Sequence, residues 1–329
     1  MRPVRNFLRA ALCAGLCLAA ACAGADYNTR NQEEDNVMNE NIQTSAPPTG
    51  LTCAFTVRGE GPTLGTWLWS AKDILTNTPS ILEFLDKNNV SEVYIGYDRA
   101  VFNSKYRGFV KKAAALGIRS SIIGADARWV LPEGRKNYET FVVWYEKYQS
   151  ECESEDEKFY GMHMDVEPYQ LEEWGTGLQA VVDSYAAWVR AARADCDRLG
   201  ALLELDIPIW FDKYTVTDGG LTLEEYCFTL ADTVLLMDYR QTAAAMYASG
   251  ERGLGLGQKY GKKVVLASET GDTTAEEPEI TFYRLGKKKL YDEMTALRAM
   301  VDKNFPGGNI GYAIHWYNSW SALPEDGSK

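Results

Sequence analysis

Eight short apolar or β-rich runs follow one another along the chain, and each gives way to a helix-like or turn segment. They span Leu64 to Trp69, Glu92 to Tyr97, Ile118 to Ile123, Phe159 to Val166, Leu202 to Trp210, Thr233 to Met237, Lys263 to Ala267 and Asn309 to Trp316. Helical periodicity, with apolar residues recurring at three and four, is clearest over Ser104 to Leu116, Tyr138 to Tyr148, Leu178 to Leu199 and Lys288 to Lys303. Such alternation calls for parallel strands joined by crossovers, which confines the chain to α/β architectures. Eight units predict a (β/α)8 TIM barrel, with a doubly wound open sheet as the alternative.

The barrel is expected over residues 51–329, as a single domain. Ahead of it, residues 1–25 read as a signal peptide: Arg2, Arg5 and Arg9 precede the short apolar run Leu12 to Ala21. Cleavage after Ala23-Gly24-Ala25 and lipid attachment at Cys22, within Leu18-Ala-Ala-Ala-Cys22, are both open. Residues 26–50 are polar and poor in aliphatic side chains, which predicts a flexible linker. An exported protein is expected, secreted or held at a bacterial cell envelope as a lipoprotein. Membrane contact is expected only through a lipid on Cys22.

The segment Phe159-Tyr-Gly-Met-His-Met-Asp-Val-Glu-Pro-Tyr169 carries the chemistry. Read as a strand, it sends Gly161, His163, Asp165 and Glu167 to one face and Met162, Met164 and Val166 to the other. A core does not accept a histidine and two carboxylates without partners, so that face belongs in a site. Pro168 has no N–H for a ladder and should leave Glu167 at the strand's carboxyl end, where barrel active sites lie.

The other strand ends supply a matching set. Trp67 and Trp69, Tyr97 and Asp98, Asp126 and Trp129, Tyr169, Asp206, Trp210 and Asp212, Asp238 and Tyr239, Glu269, and His315, Trp316 and Tyr317 are all expected near one mouth. Aromatic faces interleaved with carboxylates suit sugar rings, whose C–H groups stack on indole while their hydroxyls bond carboxylates. Trp144 and Trp188 fall on helical segments and read as core.

The strand-four segment resembles the D-G-x-D-x-D-x-E signature of family 18 glycoside hydrolases, the chitinases and endo-N-acetylglucosaminidases. Gly161, Asp165 and Glu167 match, while Tyr160 and His163 stand where the family has aspartate. Met237-Asp238-Tyr239 is similar to the family's M-x-Y-D run, with Arg240 in place of its aspartate, and Trp316 to the tryptophan under its −1 subsite. The resemblance implies that Glu167 protonates the glycosidic oxygen while Asp165 orients the substrate's own 2-acetamido group for attack, with Tyr239 bonding that acetamide. The expected substrate is a glycan containing N-acetylhexosamine. The charge of Asp165 and the apolar barrel wall should raise the pKa of Glu167.

Two other schemes are open. Val166-Glu167-Pro168 and Glu269 also resemble the acid/base and nucleophile of Glu/Glu barrel glycosidases, which would need their carboxyls about 5–5.5 Å apart. Alternatively the barrel binds carbohydrate without turnover, which Tyr160 and His163 favour. A deacetylase or amidase is the weakest reading, because His163 and His315 are the only histidines and no metal-ligand spacing is present. No cofactor, no metal and a monomer are expected. The net charge of −12 argues against nucleic-acid binding. Of seven cysteines, Cys152 and Cys196 should lie together at the barrel's amino-terminal face, where a disulfide is possible.

Overall fold

The computed structural model describes residues 51–273 and 277–327. The expected signal peptide, Cys22 and the linker lie outside the described residues. Eight parallel strands close into a barrel in chain order: β1 Leu64–Leu68, β2 Glu92–Gly96, β3 Arg119–Gly124, β4 Gly161–Met164, β5 Leu202–Pro208, β6 Thr233–Met237, β7 Lys263–Glu269 and β8 Ile310–His315. The last strand pairs with the first, Gly65 against Ala313, so no sheet edge is left open. The chain is thus a (β/α)8 barrel, not an open sheet. Among the described residues no helix is long and apolar enough to cross a membrane.

Helices Asn103–Ala115, Arg135–Ser150, Leu178–Leu199 and Gly286–Asn304 match the periodic segments within a few residues. Helices Thr78–Lys87, Leu223–Leu230 and Ala243–Tyr260 complete the outer ring. The last of these carries Gly250, Gly253 and Gly257 on the face it turns to the barrel. A Cβ at those positions would sit 2.8 Å from Leu266 Cδ2, 2.4 Å from Leu236 Cδ1 and 2.1 Å from Val264 Cγ2. Close approach to β6 and β7 therefore requires glycine there, despite its helix cost of about 1 kcal/mol per residue.

Strand parity divides the buried side chains into two layers. Met162, Met164 and Val166 pack outward beneath the helices, while Trp67, Tyr94, Ile123, Leu235, Val265, Ala267 and Ala313 pack inside the barrel. The base of the interior is ionic. Glu92 accepts from Lys263 Nζ at 2.5 and 2.6 Å, from the Arg119 guanidinium and from Tyr94 Oη at 3.2 Å. Burial disfavours a charge on Glu92, but the two cations outweigh it and hold its carboxyl below the usual range.

The cysteine pairing is corrected. Cys53, Cys152, Cys196 and Cys227 are all free thiols. Cys152 Sγ donates to the carbonyls of Tyr148 and Glu157 at 3.3 and 3.4 Å, and Cys196 Sγ faces the Leu202 carbonyl at 3.8 Å, so each thiol is satisfied locally.

Candidate active site

A cavity of about 620 Å³ opens at the carboxyl ends of the strands. Asp165 and Glu167 lie on its floor. Their strand ends at Met164, but Asp165 N still donates to Gly124 O at 3.0 Å, so the alternation persists long enough to turn both carboxyls inward. Aromatic residues from β1, β6 and β8 wall the cavity: Trp67, Trp69, Tyr239 and Trp316. Tyr169, Trp174, Trp210 and Tyr214, from the segments after β4 and β5, wall it too. The peptide bond between His315 and Trp316 is cis.

Glu167 is enclosed by donors. Tyr169 Oη donates to Oε1 at 2.6 Å and Gln170 Nε2 donates to Oε2. Burial raises its pKa to about 7, with help from Asp206 and against the two hydrogen bonds. Burial, as expected, supplies most of the upward push, and the carboxylate that adds to it is Asp206 on the neighbouring strand. Asp165 itself is raised well above the ordinary aspartate range by burial, then by Glu167 and Asp206.

Beneath them lies a charged layer. His163 is fully buried, with Nδ1 3.1 Å from Glu204 Oε2 and Nε2 2.9 Å from Asp206 Oδ2, and its ring stacks on Tyr94 at 3.9 Å. Two carboxylates on two nitrogens make both nitrogens donors. Burial alone would depress His163, yet the pair outweighs it and raises the imidazole to about 10. Trp67 Nε1 donates to the same Asp206 oxygen at 2.9 Å.

Glu269 is held from three directions. Oε1 accepts from the backbone N–H groups of Thr270 at 2.7 Å and Gly271 at 2.5 Å, and Oε2 lies 2.8 Å from His315 Nδ1. Trp316 closes over this corner against Gly271, where a Cβ would fall 2.4 Å from the indole.

Several expected site residues lie elsewhere. His163 sits below the cavity, as a support of its floor. Trp129 packs under the helices, 5.4 Å from Tyr138 and 5.3 Å from Phe141, filling the space that Gly124 leaves behind β3. Tyr97 packs on Trp144 at 4.6 Å. Asp98 accepts from Ala100 N and faces Lys72, and Asp126 caps a turn while pairing with Arg128. Asp238 points out of the barrel toward Ser249, as its parity opposite Tyr239 requires. Asp212 and Tyr317 also lie off the cavity, Tyr317 against Phe84 at 5.4 Å. Conversely, Trp174 and Tyr214 have no strand signal: Trp174 lies in the short helix Glu172–Thr176 and Tyr214 follows the turn Phe211–Lys213. Asp206 is among the expected residues, whereas Glu204 is not, although it carries the same alternating signature two residues earlier in Leu-Leu-Glu-Leu-Asp-Ile-Pro.

A second cavity of about 640 Å³ lies between residues 51–55 and the helix Gly286–Asn304, where Asp292 and Asp302 share the lining with Lys288 and Arg298.

No protein-family model and no curated protein matches the chain. Among solved structures it is similar to catalytic domain 2 of a Group II chitinase from Ostrinia furnacalis, at 13% identity over 63% of this chain and 64% of that one, with a TM-score of 0.41. It is similar to a class V chitinase from Pseudomonas fluorescens at 15% identity over 55% of each chain, with a TM-score of 0.37. It is also similar to a sugar phosphate isomerase/epimerase from Parabacteroides distasonis at 14% identity over 78% and 89%, with a TM-score of 0.46. The chain thus spans under two thirds of the matched chitinase domain. Likeness at this level assigns no function.

Proposed function

We propose that the chain is a glycoside hydrolase in which Glu167 is the general acid, acting on a glycan that contains N-acetylhexosamine. The observation that carries this reading is Glu167 itself: a carboxyl with its pKa near 7, on the floor of an aromatic-walled cavity, two residues from a second carboxyl on the same face. An acid poised there can protonate a leaving oxygen at neutral pH. Trp and Tyr faces around it suit sugar rings.

The nucleophile in this reading is the substrate's acetamide oxygen, with Asp165 accepting the acetamide N–H and Tyr239 bonding the group from the opposite wall. The state of Glu269 favours this over a double displacement on the protein. Both its oxygens already accept hydrogen bonds, and three donors stabilise its charge and blunt its attack. Export, with a lipid on Cys22, is part of the proposal, and mass spectrometry of the mature amino terminus tests it.

The test of the whole reading is digestion of a glycan panel with Glu167→Gln as control. The expected result is cleavage with retention, abolished in the variant while glycan binding persists. Binding without cleavage by the wild-type protein would make the chain a carbohydrate-binding barrel.

A further inference from the structure

Two buried carboxylate oxygens in the site, Asp165 Oδ1 and Asp206 Oδ1, have no hydrogen-bond partner among the described residues. They are neighbours by construction. β4 and β5 run parallel with His163 beside Glu204 and Met164 beside Leu205, so the next step of the same register sets Asp165 beside Asp206. Both residues line the same cavity. Two ionised carboxylates side by side in a buried place repel strongly, and a single proton between them removes the conflict while giving each orphan oxygen a partner.

We propose that Asp165 and Asp206 share one proton, and that Asp206 is a positioning residue for Asp165: the Asp165 carboxyl donates its O–H to Asp206 Oδ1 and turns its other oxygen into the cavity. Which member holds the proton follows from the other side of Asp206. Its Oδ2 accepts from His163 Nε2 at 2.9 Å and Trp67 Nε1 at 2.9 Å, two donors that keep Asp206 the ionised partner. The groups facing Asp165 are Glu167 and His163 from its own strand, Asp206 from β5, Tyr239 from β6, Tyr169 from the turn after β4 and Tyr185 from the helix Leu178–Leu199. Tyr94 and Trp67 join them around Asp206. Burial and the two acids raise Asp165, in keeping with a neutral member of a pair. The catalytic meaning of this arrangement rests on the hydrolase reading, because the oxygen it frees is the one that would accept the substrate's N–H.

Asp206→Asn reports on the pair. The donors on His163 and Trp67 force the oxygen of the substituted amide toward themselves, so its NH2 turns to Asp165 and stabilises the charged form. The experiment is a carboxyl-carbon NMR titration of aspartate-labelled protein, with Asp165 assigned through Asp165→Asn. In the wild-type protein Asp165 is expected to titrate above the ordinary aspartate range, and in Asp206→Asn to fall by at least about one pH unit, the amount a single charge-assisted hydrogen bond supplies. Cleavage, where a substrate is known, should drop about 10- to 100-fold in kcat with KM little changed. Titration of wild-type Asp165 in the ordinary range overturns the proposal even if the variant fails to fold, as does an unmoved titration in a folded variant. A high Asp165 that drops in the variant, in a protein that cleaves no glycan, leaves the pair standing and removes only the hydrolase reading.

Discussion

The indole nitrogen of Trp69 lies 2.8 Å from Nε2 of His315, and an indole N–H can only donate. His315 must therefore accept at Nε2 and carry its proton on Nδ1, which faces Glu269 Oε2 at 2.8 Å. A tryptophan just past β1 thus fixes the tautomer of a histidine on β8 and, through it, a donor aimed at an acid on β7. Glu269 consequently meets donors alone on both oxygens.

That arrangement makes Glu269→Gln a damaging substitution in any mechanism. Its NH2 must face either two backbone N–H groups or His315 Nδ1–H. A stability loss of about 1–3 kcal/mol is expected by denaturant melt, the usual cost of a buried polar group left unpaired. The clean test of nucleophilicity is chemical: a 2-fluoro glycoside should leave no adduct on Glu269 by peptide mass spectrometry. Recovery of that adduct would replace the acetamide mechanism with double displacement.

The acid limb of catalysis should respond to Tyr169. Glu167 must be protonated to act, so activity is expected to fall as pH rises through about 7. The Tyr169 hydroxyl favours the charged carboxylate and pulls that value down. Tyr169→Phe should move the alkaline limb of the kcat/KM profile upward by roughly one pH unit. A limb that stays in place, or moves down, would separate that limb from Glu167.

Asp238 predicts a stability effect remote from the pocket. Burial raises its folded pKa to about 7, and Ser249 and Arg240 only partly oppose this. The unfolded chain releases that proton near pH 4 while the folded chain keeps it, so folding binds a proton and stability is lost as pH rises from about 4 to about 7. Asp238→Asn cannot titrate. Its stability relative to wild type should therefore climb across that window, by at most about 1.4 kcal/mol per pH unit, and level off above it. Parallel stability–pH curves for the two proteins would contradict a buried, neutral Asp238.

Gly271 should be intolerant of even a methyl group. A Cβ there would sit 2.4 Å from the Trp316 ring and 3.0 Å from Glu269 Oε1. Gly271→Ala should lower kcat/KM about 10- to 100-fold through misplacement of the indole and the acid. Calorimetry should show only a modest change in melting temperature, since the residue lies at the barrel mouth.

The fold was legible because its signals are local and repeated. Thr233–Met237 and Leu178–Leu199 appear in the structure with the bounds their patterns predict. Helix Ala243–Tyr260 was hidden by Gly250, Gly253, Gly255 and Gly257, which depress helix propensity; all but Gly255 do so for the sake of tertiary contact that a linear reading cannot see. At the site, parity placed Asp165 and Glu167 correctly because a strand has only two faces. Asp126 and Trp129 strayed because the chain turns beyond the end of β3 and the loop sets their direction, whereas Tyr97 still bonds the ladder through Ile123 O and, three residues from the inward-facing Tyr94, points outward by parity. The charged interior of Glu92, Arg119, Lys263 and Glu204 was overlooked because each residue alone resembles an ordinary strand-end charge, and only barrel closure brings them together.

That charged interior also acts as an alignment key for the strands. Sliding one strand by two residues keeps its inward face inward, so a purely apolar barrel would discriminate weakly against such a slip. Here a two-residue slip of β5 would leave His163 facing one carboxylate instead of two, with Pro208 or Leu202 in the place of the other. The same slip in β2 or β7 would part Glu92 from Lys263, one of the two cations that balance its buried charge. Mispaired barrels are thereby penalised one contact at a time during closure, and the strand that bears Asp165 and Glu167 is locked into step before any ligand arrives.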